Sequence, residues 1–250
     1  MVSLLDDSPE IDVESGRDVQ FRIAAGHDDR IAAFELVYRK YFEAEFIPQN
    51  EFRLRVTPYH LLPTTNVIVA LAGSRVVSTV TLIGDGELGV PMESIYGKEI
   101  LERRRKNLYI GEVSCLAFEP MPLNKSLQVL MQLTRLMAQH ALTYGMDQLM
   151  IAVHPQHARF YRRFMGFEIV GPLKTYPSVQ HAPAVACCLD FRAINKNRPK
   201  CWESYFGARL PEADLCSRPM SDDECDYFRP IAQLAGYRTP QVACTSNTGI

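Results

Sequence analysis

The stretch HPQHARFYRRFMGFEIVG, residues 154–171, decides the fold. Its first part predicts a helix over residues 156–165, because Gly166 is a typical helix end. Residues 167–170 are apolar enough to form a strand, and the apolar run 148–153 predicts a second strand before the helix. This part of the chain is therefore predicted to be a strand–helix–strand unit.

The remaining chain predicts further strands and helices in alternation. Strands are expected at 19–24, 67–72, 76–82, 108–118 and 185–191, and helices from Asp28 or Asp29, over 94–106 and over 124–144. This order predicts an α/β fold with a mixed sheet and helices on both faces. Residues 45–65 predict a long loop, and long loops in compact domains often bind ligands.

The predicted domains are a flexible lead over 1–18, one main domain over 19–194 and a partly disordered C-terminal extension over 195–250. Within the extension, Ser221 and Glu224 form a capping-box pattern that predicts one short helix.

Composition excludes several classes of function. A net charge of −2 over 250 residues gives no bulk attraction to nucleic acid or to a membrane. The seven cysteines lack a C-x-x-C pair, so we expect reduced thiols and no metal site. No stretch matches a signal peptide or a transmembrane helix, and a cytoplasmic location is therefore expected.

The deciding stretch resembles the GNAT acyltransferases in its Phe160-Tyr161 pair followed by Gly166-Phe167, with Ala158 before them and Glu168 after them. The resemblance implies a mostly antiparallel central sheet whose fourth and fifth strands separate to admit an acyl thioester. It also implies that Tyr161 hydrogen-bonds or protonates the leaving thiolate. The alternative is that Tyr161 is only a core aromatic residue.

One segment departs from that family. GNAT enzymes that use acyl-CoA hold its pyrophosphate on a glycine-rich loop, whereas EPMPLNKS at 119–126 has no glycine and two prolines. The departure favours an acyl carrier protein as the donor, although acyl-CoA remains possible.

Two families that use a carrier protein resemble residues 19–191. They are the long-chain N-acyl amino acid synthases (FeeM-type) and the acyl-homoserine lactone synthases, through the segments VYRKYFEAEF, VIVALAGSRVVSTVTLI and IGEVSCLAF. The lactone synthases usually carry arginine where Cys115 stands, and their N-terminal tryptophan has no counterpart because Trp202 is the only one. The amino acid synthases therefore match better. Exosortase-associated acyltransferases, which have a similar length and extension, are not separated from them by motif.

The resemblance implies transfer of a long-chain acyl group from a carrier-protein thioester to the amine of an amino acid. The alternatives are a lactone synthase-like enzyme that depends on S-adenosylmethionine, and a catalytically silent domain that binds an acyl ligand or a carrier protein. No bound cofactor, metal or nucleic-acid partner is expected.

Four residues are candidates for catalysis. Glu112 in the middle of a predicted strand is the candidate base, since a buried carboxylate is costly unless something compensates for it. The alternative for Glu112 is a salt bridge to an arginine such as Arg39. Tyr161 is the candidate acid, and His154 and His157 are candidates for proton transfer or contact with the pantetheine arm, unless they are structural.

Further residues are candidates for binding. Arg39, Arg53 and Arg55 are candidates for the carboxylate of the amino acid, Ser114 lies on the same strand face as Glu112, and Met131 belongs to a predicted helix that could line an acyl tunnel. Met131 also fits a plain core position. Two basic clusters are candidates for an acidic carrier protein: Arg159, Arg162 and Arg163 on one helix face, and Arg103, Arg104, Arg105 and Lys106. The alternative for the helix cluster is a solvated surface.

Overall fold

The computed structural model describes residues 19–235, and one eight-stranded sheet runs through them. Its order is β1-β2-β3-β4-β5-β8-β6, and β7 pairs with β8. The strands are β1 (Val19–Ile23), β2 (Thr65–Ala72), β3 (Arg75–Gly84), β4 (Ile110–Phe118), β5 (Gln148–Val153), β6 (Glu168–Ile169), β7 (Lys174–Tyr176) and β8 (Ala182–Asp190). The predicted mixed α/β sheet is confirmed.

All strand pairs are antiparallel except β4 with β5. This parallel pair is short, running from Ile110 opposite Gln148 only as far as Glu112 opposite Met150. Beyond Glu112 the two strands no longer pair, so a gap opens in the middle of the sheet.

Helices cover both faces of the sheet, as predicted. In β2, Val67, Val69 and Leu71 pack into one core with the first helix, whereas Ile68 and Ala70 pack into another core with the third. This division follows from the alternation of side chains along a strand. The helices are α1 (His27–Glu43), α2 (Glu93–Arg105), α3 (Leu123–Thr143), α4 (Pro155–Met165), α5 (Phe191–Asn197), α6 (Trp202–Phe206) and α7 (Asp222–Gln233).

Helix α3 begins two residues earlier than it would with Asn124 as its N-cap, the residue that the sequence suggests for that position. Pro122, not Asn124, occupies the N-cap position, and the Asn124 side chain accepts a hydrogen bond from the Lys125 N–H. Proline suits this position because it has no N–H that would need a partner.

The long loop and the C-terminal extension contain more structure than the sequence suggests. The loop holds a short 3₁₀ helix, Pro58–Leu61, which Thr57 and His60 cap reciprocally. Helix α5, which begins in the main domain and runs into the extension, and helix α6 were not predicted, whereas α7 begins at the predicted Ser221–Glu224 capping box. Residues 1–18 and 236–250 lie outside the described residues, so the expected lead and the end of the extension are not addressed by the structure.

Within residues 19–235, no helix is long and apolar enough to cross a membrane. In the same range, no group of three or more histidine, cysteine or acidic residues is arranged to hold a metal ion. The six cysteines of this range are free thiols, four of them buried.

Candidate active site

A cavity of about 110 Å³ occupies the gap between β4 and β5. Its walls come from both separating strands, from α4, from the loop after α1 and from β7 and β8. The lining includes Glu112, Ser114, Cys115, Ile151, Val153, His154, Tyr161, Tyr41, Phe46, Arg55, Tyr176 and Ala184. Three of the four predicted catalytic residues, Glu112, His154 and Tyr161, therefore lie around one space.

Glu112 is the buried carboxylate of this cavity. It is 2% exposed, and its hydrogen-bond partner within residues 19–235 is the backbone N–H of Met92, at 2.7 Å from Oε2. Burial raises the pKa of Glu112 to about 8, although the Met92 N–H opposes this shift. A carboxylate with this pKa can exchange a proton close to neutral pH, as a general base must.

The alternative salt bridge between Glu112 and Arg39 does not form. The guanidinium of Arg39 instead binds Glu119 with two hydrogen bonds of 2.8 Å, and Arg75 binds the same carboxylate at 2.6 Å. Opposite charge and these hydrogen bonds lower the pKa of Glu119. The ionic partner of the arginines is thus a different glutamate, directly after β4.

Tyr161 reaches the cavity from the opposite face of the sheet. It packs in the core that α3 and α4 form, whereas Glu112 accepts its hydrogen bond from the segment before α2. Burial raises the pKa of the Tyr161 phenol, so it stays protonated near neutral pH. The gap between the strands therefore gives one cavity a buried carboxyl group from one face of the sheet and a buried phenol from the other.

The two histidines differ in position. His154 is the N-cap of α4, where Nδ1 accepts a long hydrogen bond of 3.4 Å from the Gln156 N–H, and its side chain lines the cavity. His157 lies in the first turn with its ring 6.0 Å from that of His154, and it is not part of the cavity wall. His154 is thus the nearer of the two to the gap.

A β-bulge shapes the β4 side of the cavity. Thr79 pairs with Ala117 and Thr81 with Ser114, so two residues of β4, Cys115 and Leu116, lie opposite one residue of β3. Cys115 has a φ of 53°, in the left-handed region that non-glycine residues rarely adopt. Bulges of this kind re-aim side chains next to active sites. No sequence pattern indicated this one, because cysteine carries no turn preference.

The three arginines that are candidates for binding the carboxylate of the amino acid lie in three different environments. Arg55 is 7% exposed and lines the cavity, where its Nη2 donates to the carbonyl of Ser178 at 3.3 Å. Arg53 is exposed on the loop with a positive φ, and Arg39 is engaged with Glu119. Among the other candidates, Ser114 lines the cavity, whereas Met131 packs against the α3 core.

The basic cluster at the end of α2 is partly used inside the protein. Arg104 binds both Asp85 and Glu93, and Arg103 donates to the side chain of Gln148 and the carbonyl of Glu99. Arg105 and Lys106 are exposed. Half of this cluster therefore ties α2 to the sheet.

The basic cluster of α4 is exposed. Arg159, Arg162 and Arg163 all face solvent, with Arg162 at 3.6 Å from the equally exposed Glu168 and Arg163 above the ring of Phe164. Phe164 is itself 52% exposed. This surface, which we call the α4 patch, combines three cations with an apolar ring on the same helix that carries Tyr161.

The glycine-free stretch before α3 offers few free backbone donors. Pro120 and Pro122 have none, the Lys125 N–H binds the side chain of Asn124, and the Ser126 N–H binds the carbonyl of Pro122. The start of α3 therefore offers a pyrophosphate fewer N–H groups than a glycine-rich loop of the same length would.

Several cavity residues were not predicted. Tyr41 and Phe46 come from the end of α1 and its following loop, and Tyr176 and Ala184 come from β7 and β8. They are far apart in the chain, and only the folded sheet brings them to the gap.

The chain is similar to one protein family and to several solved structures. The family model described as the N-acyl amino acid synthase FeeM matches residues 32–190, more than half of the 250 residues. The solved structure of FeeM, an N-acyl amino acid synthase from uncultured soil microbes, is 26% identical with a TM-score of 0.62, over 76% of this chain and 95% of FeeM. No protein with curated annotation matches in sequence.

Two other solved structures share the fold. The AHL synthase LasI is 15% identical with a TM-score of 0.56, over 79% of this chain and 98% of LasI. TofI, solved in a ternary complex with an inhibitor and MTA, is 16% identical with a TM-score of 0.52, over 69% of this chain and 90% of TofI. The predicted GNAT-like acyltransferase fold is confirmed, and the chain belongs to the N-acyl amino acid synthase FeeM family.

Proposed function

We propose that this protein transfers a long-chain fatty acyl group from the thioester of an acyl carrier protein to the amine of an amino acid. The observation that carries the proposal is the cavity in the gap of the sheet, which both Glu112 and Tyr161 line. Family membership supports the product class, an N-acyl amino acid.

In the proposed reaction the neutral amine attacks the thioester carbon. The C–N bond forms, Glu112 accepts a proton from the amine nitrogen, and the C–S bond breaks. Tyr161 donates its proton to the departing sulfur. Exchange with solvent then returns a proton to Tyr161 and removes one from Glu112, so that no other reactant is consumed.

The proposed donor rests on two features. The start of α3 has few free backbone donors for a pyrophosphate, which disfavours acyl-CoA. The α4 patch offers exposed cations on the outer side of the helix that carries Tyr161, and such patches raise the association rate with an acidic partner. A cytoplasmic location remains part of the proposal, supported by the free thiols.

Mass spectrometry of lipid extracts from a bacterium that overexpresses the chain tests the proposed product. We expect N-acyl amino acids to accumulate with the wild type and to be lost with Glu112→Gln. Acyl-lactones, or no new lipid, would overturn the proposal. Unchanged products from both Glu112→Gln and Tyr161→Phe would show that the catalytic roles are assigned to the wrong residues.

The donor is tested with the triple variant Arg159→Glu/Arg162→Glu/Arg163→Glu. We expect kcat/KM with acyl carrier protein to fall at least 100-fold, because charge reversal repels an acidic partner. With acyl-pantetheine, which lacks the protein, the loss should stay below about threefold because the cavity is untouched.

The matched control for this prediction is Arg105→Glu/Lys106→Glu, which reverses two exposed cations of the α2 cluster. An equal loss in this control would assign the carrier surface to both clusters. Full activity of the wild type with acyl-CoA, at the same kcat/KM as with the carrier protein, would refute carrier dependence.

A further inference from the structure

A second, larger cavity of about 520 Å³ adjoins the reaction cavity. Both spaces share Phe46 and Arg55, which stand between them. The walls of the outer cavity are mainly apolar, with Leu54 and Val56 from the loop, Ile231 from α7 and Leu234 directly after α7. Its size falls within the range of small-molecule sites.

Arg55 places a positive charge at the junction. Its side chain is buried, and its charge adds to the burial that lowers the pKa of His60, whereas at Cys115 it only opposes the burial that raises the pKa of the thiol. A guanidinium in this setting binds carboxylates with paired hydrogen bonds. If the carboxylate of an acceptor amino acid contacts Arg55, its amine and its side chain can lie in the two cavities that adjoin Arg55.

Helix α7 forms the outer wall and is held firmly in place. Phe228 is fully buried, with its ring 5.2 Å from that of Phe34, and Arg30 pairs with Glu224. Arg30 also donates to the carbonyl of Arg218 at 2.6 Å. The wall is thus fixed to α1 by packing and by an ion pair.

This wall does not come from the part of the chain that defines the family. The family model ends at residue 190, whereas α7 covers Asp222–Gln233. The extension therefore adds to the site something that the matched domain does not supply.

We propose that the outer cavity holds the side chain of the acceptor amino acid, and that α7 selects acceptors with a bulky apolar side chain. The amine then lies in the reaction cavity beside Glu112, and the carboxylate lies on Arg55. This inference rests on the proposed function, since it names the substrate class of the same site.

The proposal is tested with Leu234→Trp, which adds bulk at an exposed end of α7 that lines the outer cavity. Rates are measured for glycine, leucine, phenylalanine and tyrosine with one saturating acyl donor. We expect kcat/KM for the three bulky acceptors to fall at least tenfold relative to glycine. Gln49→Trp, which lines the same cavity from the loop after α1, should change acceptor selectivity in the same direction.

The matched control is Gln233→Trp, an exposed neighbour on α7 that does not line the cavity. An equal change in this control, or unchanged acceptor selectivity in both lining variants, overturns the inference. A change that follows acyl-chain length instead assigns the cavity to the donor and overturns it too. If the wild type acylates no amino acid, the proposed function fails, which is a different result.

Discussion

Two buried glutamates seven residues apart, Glu112 in β4 and Glu119 just after it, behave in opposite ways. Glu119 accepts hydrogen bonds from two guanidinium groups, and its pKa is lowered. Glu112 accepts a hydrogen bond from a backbone N–H and lines a cavity, and its pKa is raised to about 8. Both are at most 3% exposed. Burial alone therefore does not identify a catalytic carboxylate. What distinguishes Glu112 is that one backbone N–H does not offset the cost of burying its charged form.

The largest expected effect comes from removing the base. Glu112→Gln should lower kcat/KM for acyl transfer by about 10²–10⁴-fold, since that is the usual contribution of a general base. The same change should raise the free energy of unfolding above pH 8, because the folded wild type must then hold a buried charge. Steady-state kinetics and chemical denaturation at pH 9 measure the two effects. A variant that loses both activity and stability would mean that Glu112 is structural.

Glu119→Gln should give the reverse result. We expect the free energy of unfolding to fall by about 2 kcal/mol, since Arg39 and Arg75 lose their shared partner but remain partly hydrated. Activity should stay within about twofold, because Glu119 does not line the cavity. Urea denaturation at pH 7 checks the stability.

A double-mutant cycle with Arg39→Ala then isolates the pair. If Arg39 binds the substrate carboxylate, as the sequence led us to consider, Arg39→Ala will also raise KM for the amino acid. An unchanged KM would leave Arg39 with its structural role alone.

The third effect is on pH dependence. As pH rises through about 8, Glu112 loses its proton, so kcat/KM should increase roughly tenfold between pH 7 and pH 9. The amine of the acceptor titrates in a similar range, and acceptors with amines of different pKa separate the two. The rise in kcat/KM that occurs at the same pH with every acceptor is due to Glu112, and Glu112→Gln should lack this rise.

The smallest effect is expected on stability in acid. The lowered pKa of Glu119 contributes stability that is present above its unfolded value of about 4.5 and is lost as pH falls through the folded value. Glu112 acts in the opposite direction, since its raised pKa makes the fold less stable as pH rises from about 4.5 to 8. Denaturation at pH 3, 5 and 8 should show wild type losing about 1 kcal/mol between pH 5 and 3 that Glu119→Gln does not lose. Parallel curves for wild type and both variants would contradict the two pKa shifts.

The sequence predicts those parts of the fold that depend on local pattern. The phase of α4 places Tyr161 inward and the three arginines outward, and the structure agrees because a helix keeps residues three and four apart on one side. The short elements β7, α5 and α6 were missed, since three to seven residues are too few to establish a period.

Contacts between distant residues limited the prediction of the site. Arg39 and Glu119 are 80 positions apart, and nothing local indicates that they pair. Arg53 and Arg55 looked equivalent in the sequence, but the backbone turn at Arg53 leaves one exposed and buries the other. The outer cavity likewise needs a helix from the far end of the chain, so only the folded structure reveals it.

The bulge at Cys115 gives β4 different tolerances to two kinds of mutation. Glycine should be accepted at this position, because a φ of 53° is unstrained for it. Loss of the residue is another matter: a one-residue deletion would restore regular pairing and turn every later side chain of the strand to the other face. Ala117 would exchange its core for that of Phe118, which packs on the opposite side. The number of residues in β4 is therefore a stricter requirement than the identity of the residue at position 115. When homologous sequences are aligned, the length of this strand should be compared before its residues.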